Sequence, residues 1–293
     1  MVVKVKEPLG PEIPRMRAGQ VLFTFLHLAA VPELARAMLE RGVVGIAYET
    51  VTAPDGSLPL LAPMSEVAGR MSVQVGAWYL QRAQGGRGIL LAGVPGVAPG
   101  RVLILGAGSV GRNAARMAAG LGAEVTVLDR ALPPLRQLDA GMPGRFRTCI
   151  ATREAIEQES ARADLLIGAV LVPGGRAPTL VTREMVRAMR DGAVIVDVDI
   201  DQGGCFETAR PTTHAEPTYI EEGVLHYGVS NMPGAVPNTS THALNAATLP
   251  HVLALADKGW RQATQDDAHL AHGLNLAEGE VIHPALARAL GMA

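Results

Sequence analysis

LILGAGSVGRNAARMAAGLGAEVTVLDR (residues 103–130) decides the fold. An apolar run ends in Gly106-x-Gly108-x-x-Gly111, an Ala-rich stretch follows, and a second apolar run closes on Asp129. Three such glycines say little alone. Between a strand and a helix they are a dinucleotide-binding pattern. Gly106 permits the tight turn, Gly108 lets backbone N–H groups approach a pyrophosphate, and Gly111 lets helix and strand pack closely. The phosphates then rest on a helix N-terminus, where free N–H groups and the helix dipole favour an anion. Asp129 stands at the spacing, about 20 residues on, where a carboxylate accepts from a ribose 2′-OH and repels a 2′-phosphate. That favours NAD over NADP, although Arg130 beside it is able to offset a phosphate.

Working outward, RVLIL (101–105), a helix at about 110–120 and EVTVLD (124–129) make one βαβ unit. DLLIGAV (164–170) and AVIVDVDI (193–200) read as further strands buried on both faces, with a helix near 182–190 between them. Upstream, MVVKVK (1–6) alternates and stops at Glu7-Pro8, since proline offers no N–H to a ladder. VLFTFL (21–26), VPELARAMLERG (31–42) and VVGIAYE (43–49) read as strand, helix and strand, a parallel crossover. A helix begins near Ser65, with Val67, Met71, Val75 and Trp78 on one apolar face. From Thr239 the chain reads helical to its end, with Pro250 forcing a kink or a break. The fold class is α/β. A doubly wound parallel Rossmann domain (60–237) is inserted between two parts (1–59 and 238–293) of a second α/β domain.

Composition narrows the function. The 293 residues are 48% apolar and only 3% aromatic, so the cores must be built from aliphatic side chains. A net charge of −2 without a basic cluster argues against nucleic acid and membrane surfaces as partners. Glycine and proline interrupt LLAGVPGVAPGRVLILGAG (90–108), so no apolar run is long enough to span a bilayer. The first residues lack the apolar core of a signal peptide. Cys149 and Cys205 have no metal-ligand spacing, and the expected compartment is a reducing cytoplasm.

Ligands of open parallel sheets bind beyond the carboxyl ends of the strands. Lys6, His27 and Asp201 stand at such ends. Each has a plainer reading: a solvated strand end, a hydrogen-bonded core histidine, a turn-forming aspartate. Together they are a set suited to chemistry at a carbonyl: a general acid/base, a point charge for a carboxylate or carbonyl oxygen, and a carboxylate to relay protons. These residues alone lead to an NAD-dependent oxidoreductase of a small polar substrate. His269 and His272 in DDAHLAH read as a solvated helix face rather than a metal site.

KVKEP (4–8), LFTFLHLA (22–29), IAYETV (46–51), LPLLAPMSEVAGRMSVQVGA (58–77), GGRGILLAGVPGV (85–97), ADLLIGAVLVPG (163–174), VDIDQGGCFE (198–207), RPTTH (210–214) and NMPGAVPNTST (231–241) resemble the alanine dehydrogenase family, in order and over essentially the whole chain. The resemblance implies reversible NAD-dependent deamination of L-alanine to pyruvate and ammonia, through an iminium that takes a hydride. It implies Lys6 as the pyruvate-binding lysine and His27 and Asp201 as the catalytic pair. It places Gly106, Gly108, Gly111 and Asp129 in the dinucleotide motif. It also implies cofactor contacts at Ser65, Ser109, Val110, Val170, Leu171, Val198, Asp199, Ile200, Arg210, Val229, Ser230, Asn231 and Met232. Homo-oligomers, commonly hexamers, are implied as well. Two other readings compete: a non-catalytic NAD-binding protein, and a transhydrogenase-type NAD module.

Departures from the family pattern carry their own expectations. Asp199 stands where a small residue is usual, and a carboxylate so near Asp201 is expected to raise one of their pKa values. Pro134 replaces a cofactor-contacting lysine. Ala254 and Lys258 stand where some members hold a divalent ion, so no metal is expected. Family members carry a segment ahead of KVKEP, including an arginine that grips the substrate carboxylate. By that resemblance MVVKVKEP reads as an internal strand, the second domain is expected to be N-terminally incomplete, and the carboxylate is expected to keep only Lys6. Losing one partner of a buried charge pair costs about 3–5 kcal/mol.

Overall fold

The computed structural model describes residues 1–170 and 177–292. Along the chain run β1 (Val2–Val3), β2 (Val21–Thr24), α1 (Pro32–Glu40), β3 (Val44–Ala47), α2 (Ala62–Tyr79), β4 (Arg101–Leu105), α3 (Ser109–Gly120), β5 (Glu124–Asp129), α4 (Leu132–Gly141), β6 (Arg147–Ile150) and α5 (Arg153–Ser160). Then follow β7 (Leu165–Gly168), α6 (Arg183–Arg187), β8 (Val194–Asp197), β9 (Thr218–Glu221), β10 (Val224–Tyr227), α7 (Pro237–Asp266), α8 (Ala268–Ala271), β11 (Leu274–Ala277), β12 (Glu280–Val281) and α9 (Pro284–Ala289). They fall into two compact units, Met1–Pro63 with Thr241–Ala293, and Met64–Ser240. Among the described residues no helix is long and apolar enough to cross a membrane.

The first unit holds a sheet of order β1-β2-β3-β11-β12. β2 and β3 are parallel, joined through α1, which Pro32 opens and Gly42, at φ 63°, closes. The first strand is shorter than its alternation predicts. It pairs over Val2–Val3 only, and two further bonds, Lys4 N–H to Phe23 O and Phe25 N–H to Val5 O, carry the chain to Lys6. The expectation of helix from Thr239 to the end is overturned. β11 runs antiparallel to β3 and turns back through Glu278-Gly279 into β12. Both turn residues have positive φ, 55° and 80°, the geometry of a tight hairpin turn. Nor is Pro250 the break in α7. Helical backbone runs through it, and the interruption lies at Gly259, at φ 73° and ψ 161°.

The second unit holds a sheet of order β6-β5-β4-β7-β8-β10-β9. All neighbours are parallel except β9, which returns from β10 through Glu222-Gly223 as an antiparallel edge hairpin. The inner strands β5, β4, β7, β8 and β10 are largely buried on both faces, as a doubly covered sheet requires. One face packs against Met71, Ala114, Ala115 and Ala118. The other packs against Ile156, Met185 and Val186. Small residues bring the helices close. A Cβ on Gly69 of α2 would stand 2.3 Å from Val110 O of α3, and one on Gly76 would stand 2.5 Å from Leu165. Val67 and Met71 face this core as their spacing predicts. Trp78, expected beside them, is 51% exposed. Truncating a fully buried side chain such as Leu103 to alanine is expected to cost about 2–5 kcal/mol.

Candidate functional site

The strand order places the topological switch point of the second unit between β4 and β7, because the chain leaves β4 for β5 on one side and returns to β7 on the other. The glycine motif lies there. Gly106 has φ 103°, its N–H donates to Leu128 O at 2.7 Å, and a Cβ would stand 2.1 Å from Ala169 O. A Cβ on Gly111 would stand 1.8 Å from Gly106 O, so helix and turn touch directly. Gly108 differs: it is exposed, and nothing lies within 4 Å of its Cβ position. The open space is in front of the first turn of α3, beside half-buried Ser109 and Val110. Asp129 ends β5 and ties the cradle together. Its Oδ2 accepts from Ala107 N at 2.7 Å and its Oδ1 from Ala131 N at 2.8 Å. Each oxygen keeps a lone pair for a ribose hydroxyl. Arg130 is exposed.

Two residues that sequence reasoning missed brace this turn. Arg70 Nε donates to Asn113 Oδ1 at 3.0 Å, and Asn113 Nδ2 donates to Ser109 O at 2.9 Å. They lie on α2 and α3, so the close approach at Gly69 makes the contact possible. Ser65 is half-buried one turn before Gly69 on α2.

β8 stops at Asp197, and Asp201 lies beyond it in a single 3₁₀ turn, Ile200–Gln202. Asp201 is exposed, and its Oδ2 accepts from Asn231 N at 3.2 Å. The contact joins it to the segment after β10, where Val229 and Met232 are buried and Ser230 is half-buried. Asn231 has a left-handed backbone, φ 54°. Val198 is half-buried and Ile200 is buried. Arg210 lies over the Tyr219 ring, 4.1 Å from its centroid. Val170 follows β7, and Leu171 lies outside the described residues.

Asp199 is buried, 6% exposed, and its carboxylate accepts from Val170 N–H. The carboxylate it adjoins is Asp197, not Asp201. Asp197 accepts from Asp199 N and from Cys205 N, both at 3.1 Å. Ligand atoms of Asp197, Asp199 and Cys205 all lie within 4.8 Å of one another. Burial, then the Asp199 charge, pushes Asp197 up to about 8 against the two N–H groups. Burial pushes Asp199 up to about 6. The Cys205 thiol is raised too, by burial first and by both carboxylates.

In the first unit the chain turns sharply after β2. His27 has φ 49°, a left-handed conformation that an L side chain adopts at a cost of about 1–2 kcal/mol. Glu49, just past β3, holds it there. Its Oε1 accepts from His27 N at 2.6 Å and from Leu26 N at 3.1 Å, and its Oε2 also faces Leu26 N, at 3.2 Å. The ring stacks on Phe25, centroids 5.9 Å apart, and its Nδ1 lies 3.1 Å from Glu7 Oε2. Burial raises the Glu7 carboxyl. Its own backbone N–H, the His27 contact and the charges of His27 and Lys6 outweigh that and hold it below the ordinary glutamate value. A carboxylate only accepts, so Nδ1 carries a proton, and among the described residues Nε2 makes no hydrogen bond. Lys6 is half-buried, and its carbonyl accepts from the Thr24 hydroxyl at 3.1 Å. Neither Glu7 nor Glu49 was singled out by the sequence. His269 and His272 both point Nδ1 at the Thr52 hydroxyl, at 3.2 and 2.7 Å.

A family model described as the alanine dehydrogenase/PNT C-terminal domain matches residues 72–284, and the corresponding N-terminal domain model matches residues 1–68. The alanine dehydrogenase of Halomonas elongata is 60% identical over 292 residues, covering 100% of this chain and 79% of its own length. That of Mycolicibacterium smegmatis is 55% identical with the same coverage. A solved L-alanine dehydrogenase superposes with a TM-score of 0.93 at 54% identity, over 99% of this chain and 80% of that one. A transhydrogenase from Sinorhizobium meliloti shares the fold, with a TM-score of 0.81 at 23% identity over 96% of this chain and 81% of that one.

Proposed function

The chain belongs to the alanine dehydrogenase/PNT family, and from that premise we propose that it catalyses the reversible NAD-dependent oxidative deamination of L-alanine to pyruvate and ammonia. The observation that carries the reading is identity at more than half of all positions with proteins named alanine dehydrogenase.

The cradle fits a dinucleotide: the gap at Gly108 is open, the helix behind it has free N–H groups, and Asp129 keeps acceptor capacity. In this reading Gly106, Gly108, Ser109, Val110 and Gly111 hold the pyrophosphate and Asp129 the adenosine ribose. When bound, NADH supplies the hydride for amination and NAD takes it back in deamination. Ser65, Val170, Val198, Ile200, Arg210, Val229, Ser230, Asn231 and Met232 contribute to the same cofactor's binding.

The chain's own residues handle charge and protons. Lys6 offers its ammonium to the substrate carboxylate or carbonyl oxygen. In amination, nitrogen adds to the carbonyl carbon of pyruvate and the oxygen leaves as water. His27 Nε2 takes up a proton from solvent and passes it to that oxygen, while Glu7 on Nδ1 fixes the ring's tautomer and direction. Asp201 takes up a proton from the added nitrogen, and the Asn231 N–H orients its carboxylate. A positioned acid/base of this kind contributes on the order of 10²–10⁴-fold. The enzyme works as a homo-oligomer in the cytoplasm; both of its cysteines are free thiols.

The test is NADH oxidation followed at 340 nm with pyruvate and ammonium, omitting each in turn. Turnover that needs both supports the reading. Absence of turnover in protein that still binds NADH leaves a cofactor-binding protein without the chemistry.

A further inference from the structure

Asp197 and Asp199 are 3% and 6% exposed, and among the described residues no lysine or arginine lies within ion-pair distance of either. Among the described residues the groups that face them are each other, the Cys205 thiol from the turn after Gly204, and the Tyr219 phenol from β9, whose acidity Asp197 affects. Arg210 is spent on Tyr219, stacked over its ring. Asp201, two residues on, is exposed and turned to Asn231. The site is also tight. A Cβ on Gly168 would stand 3.2 Å from Asp197 Oδ1, and one on Gly204 would stand 2.4 Å from Asp197 Oδ2. Two carboxylates packed so closely, with no cation beside them among the described residues, do not both stay ionised, and a shared proton neutralises the pair.

What the pair holds is the end of β7. Asp199 accepts from Val170 N–H, and the carbonyl of the preceding Ala169 is the atom against which Gly106 packs. We propose that Asp199 is a positioning residue for dinucleotide binding: it shares one proton with buried Asp197, and its carboxylate fixes the backbone at Val170 beside the glycine turn. The inference rests on the dinucleotide reading above.

The step is a simple ionisation. As pH rises, the shared proton leaves an O–H of the pair for solvent, two buried like charges face each other, and the hold on Val170 relaxes. Both groups are raised above their unfolded values, so the pair's contribution to stability is present at low pH. It is lost as pH rises through about 6 to 8. If binding needs the proton, about a tenth of molecules retain it at pH 9, and the apparent Kd weakens roughly tenfold relative to pH 6.

The experiment measures NADH Kd by fluorescence from pH 6 to 9, and the urea midpoint of ligand-free protein over the same range, with and without EDTA. For the wild type the Kd is expected to weaken roughly tenfold and the midpoint to fall. Asp199→Asn keeps an oxygen for Val170 N–H without titrating, so the Kd profile is expected to flatten, while buried Asp197 keeps part of the midpoint's pH dependence. Asp199→Ala is expected to bind more weakly at every pH, with a flat profile. Asp199→Asn whose Kd keeps the wild-type pH slope overturns the proposal. So does a midpoint that EDTA lowers, since a cation would then neutralise the pair. If Asp199→Asn does not fold, the wild-type ligand-free midpoint decides, and one that does not fall between pH 6 and 8 refutes the shared proton. NADH that binds at no pH overturns the dinucleotide reading, while the ligand-free midpoint still reports on the pair.

Discussion

Glu49→Gln tests how the first unit holds its histidine. The wild-type carboxylate accepts from two consecutive backbone N–H groups, Leu26 and His27, and so locks a left-handed residue in place. The amide that replaces it has one acceptor oxygen, and its NH₂ group would face an N–H. One charge-assisted bond is weakened and another is lost, each worth about 1.5–3 kcal/mol. The left-handed backbone, itself about 1–2 kcal/mol unfavourable, then lacks its restraint. We expect a loss of about 2–4 kcal/mol in urea unfolding. A ring displaced by about 1 Å loses on the order of 10²-fold in kcat. Cofactor affinity should not change, because Glu49 lies in the first unit and the glycine cradle in the second. The assays are urea unfolding, NADH titration, and steady-state kinetics with pyruvate and ammonium. A Glu49→Gln protein with wild-type kcat would refute the argument that this clamp sets the catalytic geometry. His27→Asn is the companion: asparagine tolerates left-handed φ, so that protein is expected to fold with near wild-type stability and not turn over.

Gly108→Ala should fold normally, since nothing lies within 4 Å of the new Cβ and its φ is −69°, yet bind NADH at least about tenfold more weakly because the methyl enters the cradle. Gly111→Ala should instead destabilise the second unit, because its Cβ would overlap Gly106 O; calorimetry and NADH titration separate the two. The Glu7 carboxyl lies below its ordinary value, so its contact with His27 contributes stability above pH 4.5, lost as pH falls through the lower folded value. Glu7→Gln should remove that acid limb from the wild-type stability profile and lower kcat, by releasing the His27 tautomer. A pH–stability curve unchanged in Glu7→Gln would contradict this.

Much of the fold was legible because its signals are local. The glycine turn, the apolar runs that became β2–β5 and the parallel crossover through α1 are written in contiguous residues. The hairpin of β11 and β12 was not, because LNLA is only four residues long and follows a long helical stretch. The available signal was Glu278-Gly279, a tight-turn pair of the same composition as Glu222-Gly223. Trp78 failed as a core residue because helical spacing gives a face but not its width. The site divides the same way. Lys6, His27 and Asp201 are proposed from their places near strand ends. Glu7 and Glu49 are not, since each acts across about twenty residues of chain, through contacts that no periodicity records. Asp199 was noticed as an extra carboxylate and linked to Asp201. Exposure separates them: Asp201 turns outward to Asn231, and Asp199 is buried against Asp197.

The most direct test of the central claim follows the hydride itself. NADH carrying two deuterium atoms at C4 is incubated with the protein, pyruvate and ammonium, and the product is analysed by mass spectrometry. The account requires alanine with one deuterium on its α-carbon, formed only when ammonium is present. Alanine without deuterium, or deuterated lactate in its place, would contradict it.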